Sequence, residues 1–438
     1  MTVRWALSGK SRVVPSALTM TNDTSMPFSS PNLRNDIACN VMSEQKFNSA
    51  MQRHQPCIEK VGSKIDSLYL HIPFCFHKCH YCDFYSIVPS QANAQEKYDQ
   101  FTERLISELA WLMNTTDAKP RMIFVGGGTP TFLPAENWRS LLAAMRQQGW
   151  LDTMTEFTVE ANPETVTAEL VDQLVAGGVN RMSMGAQSFN LEHLKTLERW
   201  HDPRKVTLAV DLARKAGIAN LNIDLIFAIP GQTLDDLERD LEVAMALQTD
   251  HLSYYNLTYE PNTALKQKLA MGQVTPVDED TEAAMYELIL DRMSKASFEH
   301  YEISNWCKPG KPCEHNLVYW TNGNWVGAGP AAASHVDGYR WKNQPSLGPY
   351  LSSTDQPPVM DVEHLPADQR VGEVLMMHLR LRQGMPMDRV ESLIPNGDWR
   401  YDKISELSNL GLLEKSDGYL RLTHSGLLVG DAVLGELL

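Results

Sequence analysis

From about residue 66 onward, short β-prone runs alternate with helical stretches, and this alternation restricts the fold more than any other feature of the chain. The runs are SLYLHI (67–72), MIFVG (122–126), FTVEA (157–161), RMSMG (181–185), LNIDLIF (221–227) and LSYYNL (252–257). Between them lie amphipathic segments such as EKYDQFTERLISELAWL (96–112), PAENWRSLLAAM (134–145) and LDDLERDLEVAMAL (234–247). Near-continuous apolar strands alternating with helices predict a parallel sheet with helices on one or both faces, hence a barrel or an open α/β fold. In such folds the chemistry collects at the C-terminal ends of the strands.

The polar residues agree with that rule. Almost every run leads into a conspicuous element: a cysteine cluster, GGGTPT, EANP, GAQSF and the aspartate of NIDLI, which together read as one site. After Tyr259 the rhythm weakens into a long helix near 279–296, then FEHYEISNW, HNLVYW and the Gly-rich VGAGPAAASHVDGYRW. The tail from about 386 reads as two short helices, a GLLEKSDGYLRLT hairpin and a closing helix at 425–437, a small winged-helix-like module. The expected division is a disordered or poorly ordered leader at 1–60, a barrel at 61–300, an extension at 301–385 and the module at 386–438.

The leader is rich in Ser, Asn, Met and Thr and holds seven basic residues against four acidic ones. Its first 22 residues contain no acid, as in an organelle transit peptide, and lack the apolar core of a secretory signal. A plain leader on a cytoplasmic protein is the preferred reading. The chain carries a net charge of −15, and the part beyond residue 60 carries −18. That field repels phosphate backbones, so nucleic acid is not expected as a partner. No apolar run approaches the roughly 18 residues of a membrane span, which leaves peripheral membrane association at most.

Three of the seven cysteines, Cys75, Cys79 and Cys82, fall in HIPFCFHKCHYCDFYS on the loop after the first strand. Three thiolates this close point to a metal centre. Structural zinc would need a fourth ligand, available in His71, His77 or His80, but the usual second cysteine knuckle is absent and only Cys307 and Cys313 lie downstream. The sharper reading is a [4Fe-4S] cluster on three cysteines, which leaves one iron open to an exogenous ligand and therefore catalytic. Cys307 and Cys313 flank a KPGKP turn and read as incidental thiols.

C-x3-C-x2-C followed by an aromatic, on the first loop of a βα barrel, resembles the radical S-adenosylmethionine (SAM) superfamily. The resemblance implies a partial (β/α)6 TIM-like barrel, here with a C-terminal α+β extension. It also implies that the open iron chelates the methionine moiety of SAM, and that an electron from the cluster cleaves the sulfonium to a 5′-deoxyadenosyl radical. Each expected SAM contact has a candidate. Gly127 and Gly128, ahead of Thr129, let backbone approach the ammonium group, although a GGG run also suits a tight turn. Glu160 is placed to accept the ribose hydroxyls or to form a rim ion pair. Arg199 is placed to hold the SAM carboxylate or to be a surface helix residue. Tyr81 offers a ring to adenine or to loop packing, and Asp224, in an apolar strand, needs a partner.

Read together, YLHIPFCFHKCHYCDF, FVGGGTPT, EANP, MGAQSF, LNIDLIFAIPGQ, YEISNW, HNLVYW and VGAGPAAASH resemble the oxygen-independent coproporphyrinogen III oxidase-like group over nearly all of residues 67–438. The decarboxylating oxidases carry a further cysteine two residues after the third ligand, where this chain has Phe84. That departure, with HNLVYW and the short C-terminal module, matches the HemW branch of heme chaperones. The resemblance implies cluster ligation by Cys75, Cys79 and Cys82, and SAM contacts by Tyr69, Gly127, Glu160, Gln187, Arg199 and Asp224, in one SAM site or two. It also implies heme handling at HNLVYW, with His315 as the candidate iron ligand beside Tyr319 and Trp320. On its residues alone, His315 reads as a hydrogen-bonded structural histidine. The implied partners are heme or another porphyrin, a heme-accepting protein, and an electron donor such as a flavodoxin or ferredoxin. The alternative activity is radical SAM oxidative decarboxylation of coproporphyrinogen III to protoporphyrinogen IX, and radical modification of tRNA ranks last.

Overall fold

The computed structural model describes residues 64–116, 118–354 and 356–438, so the leader and its expected role lie outside the described residues. Six parallel strands carry the fold: β1 Ser67–Ile72, β2 Met122–Gly127, β3 Glu156–Ala161, β4 Arg181–Gln187, β5 Asn220–Phe227 and β6 His251–Asn256. They pair in sequence order with helices in the connections, as the rhythm predicts. The helices start at side-chain caps. Thr167, Asp202, Thr263 and Asp278 each accept a first-turn N–H, and Thr233 forms a capping box with Asp236.

The extension prolongs this sheet at both edges. Strands β7 Glu299–Glu302 and β8 Asn305–Cys307 add antiparallel beyond β6, whereas β9 Trp325–Ala328 pairs parallel to β1. Strands β10 Ala333–Val336, β11 Tyr339–Asn343 and β12 Val359–His364 continue outward from β9. The resulting twelve-stranded sheet has β12 and β7 at its ends, so it is an open, partial barrel. The long helix Ala94–Thr116 ties the extension in, because buried Glu108 accepts from Gly329 N, Asn343 Nδ2 and Tyr350 Oη at 2.9, 2.8 and 2.6 Å.

The strands are less uniformly apolar than they look in sequence. Successive residues face opposite sides of a sheet. Leu68, Leu70 and Ile72, with Ile123, Val125, Phe157, Val159, Met182, Met184, Leu221, Ile223 and Leu225, belong to the main apolar core. The alternate positions form a second face that includes Tyr69, His71, Thr158, Glu160, Arg181, Ser183, Asn222, Asp224, His251 and Ser253. Register brings them side by side: Glu160 pairs with Ser183, Ser183 with Asn222, and Asn222 with His251.

A second core gathers the C-terminal strands β13 Met385–Pro386, β14 Leu413–Ser416 and β15 Tyr419–Leu422. It begins earlier than residue 386, because Val371, Leu375, Met376 and Leu379, on and just after the helix Ala367–His378, pack into it. The expected closing helix at 425–437 is two short helices, His424–Leu428 and Gly430–Gly435, broken at Val429.

Candidate functional site

At the end of β1 the chain enters the loop that carries the three cysteines. Cys75 N donates to Ile87 O at 2.9 Å and Ile87 N to Pro73 O at 2.7 Å, which closes the loop at its base. Gly128 N donates to Ile72 O and Thr129 N to Phe74 O, both at 2.8 Å, which fastens the loop to the end of β2. The glycines are required at this junction. A Cβ on Gly128 would lie 2.7 Å from Phe74 O, and one on Gly127, whose φ is +107°, would lie 2.6 Å from the His71 ring. The tight turn suggested by GGG is therefore present, and its cause is the close approach of the cysteine loop.

Cys75, Cys79 and Cys82 are half-buried free thiols. Cys75 Sγ lies 3.5 Å from Thr129 Oγ1, and Arg199 Nη1 points at Cys79 Sγ at 3.8 Å. Burial raises the Cys75 thiol and pushes Cys82 up to about 12. Of the histidines available to zinc, His71 has both ring nitrogens bonded, whereas His77 Nε2 and His80 Nδ1 are buried without a hydrogen-bond partner. His71 is bonded to Tyr69 Oη and Tyr85 O at 3.1 and 2.8 Å, and His77 stacks on Trp200 with ring centroids 4.0 Å apart. Among the described residues no three His, Cys, Asp or Glu side chains converge to hold one ion. Three thiols on one loop are the set that would hold a [4Fe-4S] cluster with one iron left open to an exogenous ligand.

The polar face runs from this loop across β2 to β5. Glu160 Oε2 sits 2.8 Å from where a Gly126 Cβ would stand, and burial raises the Glu160 carboxyl. Asp224 has the partners its strand position demands, since Ser183 Oγ donates to it at 2.7 Å and Asn222 Nδ2 at 2.9 Å. Arg199 Nη2 donates to Gly185 O at 2.8 Å, which takes this side chain out of the surface-helix reading. Its Nε is buried without a partner, and an orphaned guanidinium N–H suits a carboxylate ligand. Gln187, at φ +65°, lies beside Arg199, and both crowd the Cα of Gly185. Tyr81 packs against Leu197, Ile226, Ile229, Leu257 and Leu265. Tyr69 is buried, between its bond to His71 and rings stacked at 6.4 Å on Phe124 and His315. Two carboxylates, an arginine and a glycine turn thus line one end of the sheet beside three thiols, a donor set that fits a zwitterion bearing a cationic sulfonium.

Residues 69–244 match the radical SAM superfamily and residues 365–429 the HemN C-terminal domain. The heme chaperone HemW of Mycobacterium tuberculosis is 37% identical over 374 residues, covering 85% of this chain and 94% of that protein. The chain belongs to the HemW family. The mitochondrial radical S-adenosyl methionine domain-containing protein 1 of Danio rerio is 29% identical over 391 residues, 85% of this chain and 86% of its own. Among solved structures, the coproporphyrinogen III oxidase HemN of Escherichia coli aligns with a TM-score of 0.76 at 22% identity, covering 88% of this chain and 93% of that one, which shows a shared fold.

In this HemW family member, His315 lies away from the cysteine loop. HNLVYW lies on the helix Glu314–Trp320 over the N-terminal ends of β1–β3, at the opposite end of the strands from the cysteine loop. Six residues of β1 separate the two ends by roughly 16 Å. His315 is 1% exposed, with Nδ1 bonded to Ser67 Oγ and Nε2 to Tyr319 Oη at 2.7 Å. Both nitrogens have partners within the fold, as in the structural reading of this histidine, and ligation of heme iron would require one of them to be released. Burial lowers its pKa well below the ordinary value. Ser183 and Asn222 went unrecognised in the sequence, and His71 entered it only as a possible zinc ligand. The alternation of side-chain direction along each strand was the signal that could have found them.

Proposed function

We propose that this protein is a heme chaperone that holds a [4Fe-4S] cluster on Cys75, Cys79 and Cys82 and SAM beside it, and passes heme to an acceptor protein. The reading is carried by the match to HemW along nearly its whole length. Phe84, where the decarboxylating oxidases have a fourth cysteine, supports carriage over turnover. The cluster, when bound, supplies a low-potential electron at the open iron. The chain's own residues do the rest. Arg199 binds the SAM carboxylate, Glu160 and Asp224 offset its cationic groups, Gly127 and Gly128 admit the ligand close to the backbone, Gln187 and Tyr69 complete the wall, and Tyr81 faces adenine. The electron comes from a flavodoxin or ferredoxin.

No helix among the described residues is long and apolar enough to cross a membrane. A cytoplasmic setting belongs to this reading, and import into an organelle directed by residues 1–22 is the competing outcome of a localisation experiment.

Anaerobic incubation with heme and with coproporphyrinogen III in parallel tests the function. A stable heme complex and no protoporphyrinogen are expected, and turnover to protoporphyrinogen would overturn the chaperone reading. Electron paramagnetic resonance of the dithionite-reduced protein should show a cubane signal that changes on adding SAM. Stoichiometric zinc in place of that signal would remove the cluster.

A further inference from the structure

Polar residues of the inner sheet face run in one line from Asp224 to the helix Glu314–Trp320. Asn222 Nδ2 donates to Asp224 Oδ1 at 2.9 Å, and Asn222 Oδ1 faces His251 Nδ1 at 2.6 Å. Sheet register sets this half of the line, because Asn222 pairs with His251 across β5 and β6. His251 Nε2 lies 2.9 Å from Tyr301 Oη, and the amide beside that hydroxyl belongs to Asn316, the neighbour of His315 in HNLVYW. Asn316 Nδ2 also donates to Glu302 Oε1 at 3.4 Å.

The line has a direction. A carboxylate only accepts, so Asn222 turns its NH2 to Asp224 and its oxygen to His251. That oxygen assigns the imidazole proton to Nδ1. His251 is 1% exposed and burial holds it neutral, so Nε2 is left as an acceptor. Tyr301 then donates to Nε2, and its oxygen is free to accept from Asn316. Every donor thus points toward Asp224. Turning the Asn222 amide over reverses the line with the same heavy atoms in place: His251 takes its other tautomer, donates from Nε2, and the Tyr301 hydroxyl swings away. The Ser183 and Ser253 hydroxyls, 2.6 and 3.0 Å from Asn222 Nδ2, can donate or accept and so suit either orientation. Two discrete polarities of one network are the kind of element that transmits coupling.

We propose, on the reading of SAM and heme given above, that this line couples the SAM wall to the HNLVYW helix, with His251 and Tyr301 as positioning residues. In the free protein the Asp224 carboxylate orients Asn222 and, through it, the rest of the line. A cationic group of SAM beside Asp224 takes up part of that carboxylate's acceptor capacity and loosens its hold on Asn222. The change reaches Asn316 on the helix that carries His315. The cost of releasing a His315 nitrogen from Ser67 or Tyr319 to heme iron then depends on whether SAM is bound. Such coupling is reciprocal, so heme shifts SAM affinity by the same factor.

Hemin titrations of the cluster-reconstituted full chain with and without saturating SAM, read at the Soret band, test the coupling. The wild-type Kd should differ by about fivefold or more between the two conditions. Tyr301→Phe, which removes one hydroxyl, and His251→Phe, which keeps a ring, should both bind hemin with a ratio close to one. A loss of packing alone would move both affinities together and leave their ratio in place. Amide hydrogen exchange of residues 314–320 gives a reading without heme: SAM should alter it in the wild type and not in Tyr301→Phe. A wild-type ratio of one, unchanged exchange, or effects that survive in both variants would each overturn the coupling and leave the chaperone reading standing. Failure of the wild-type chain to take up hemin would overturn that reading instead, and the exchange measurement then decides whether the line couples.

Discussion

His315 and Arg199 are both polar side chains within a sheet fold, but their surroundings separate them. Each polar atom of His315 has a partner on the protein, whereas Arg199 keeps a buried Nε without one. A filled set of partners stabilises the fold, and an unfilled one leaves room for a ligand. His315→Ala should therefore cost about 2–4 kcal/mol of stability, by taking a partner from the Ser67 and Tyr319 hydroxyls and removing the ring stacked 4.8 Å from Phe124. Denaturant unfolding measures that loss. Hemin binding by the folded fraction is read alongside, and its loss there would mark His315 as an iron ligand as well.

The helix Glu314–Trp320 has no side-chain cap of its own, so its start depends on Glu156 at the head of β3. That carboxylate accepts from Glu314 N at 2.9 Å and His315 N at 3.1 Å, and it raises the pKa of the buried Arg181 guanidinium nearby. One glutamate thus holds the HNLVYW element against the sheet. Glu156→Ala leaves two helix N–H groups without their acceptor and removes one of the anionic neighbours of Arg181, and should destabilise by about 2–4 kcal/mol, visible as a lower denaturation midpoint at unchanged slope. Glu156→Gln, which keeps an acceptor oxygen, should recover part of the loss. Equal loss in both variants would show that charge, not capping, holds the element.

Across the molecule, burial keeps many titratable groups neutral. His71, His335 and His378 are lowered to about 4, and His201 and His300 to about 3. The unfolded chain protonates these rings near pH 6.5 and the folded chain does not, so stability present above that pH falls steadily as it drops toward 3–4. Glu302 acts in the opposite direction. Burial raises it to about 7, so the folded state keeps a proton that the unfolded chain releases near 4.5, and stability declines from pH 4.5 to 7. Five histidines outweigh one glutamate on the acid side. Melting temperatures should fall steeply below pH 6, and Glu302→Gln, by removing an opposing contribution, should steepen the rise of stability between pH 5 and 7 by a few kcal/mol at most. A curve that stays flat down to pH 4 would contradict the neutral burial of these rings.

The βα order, the cysteine loop and the glycine run were legible because strand and helix periodicities and the C-x3-C-x2-C spacing are local properties of the chain. The six strands form where they were read; Thr129, Glu160 and Gln187 lie at or just after strand C-terminal ends, Arg199 reaches Gly185 O near the end of β4, and Asp224 lies within β5. Partner choice was not legible. Whether the His315 imidazole is satisfied depends on Ser67, 248 residues away, and no window of sequence contains both. The polar face was hidden for a related reason: a strand alternates its side chains, but only packing decides which set meets the helices. Local pattern therefore placed the cysteines and the candidate SAM residues together, and long-range packing decided the partners of His315.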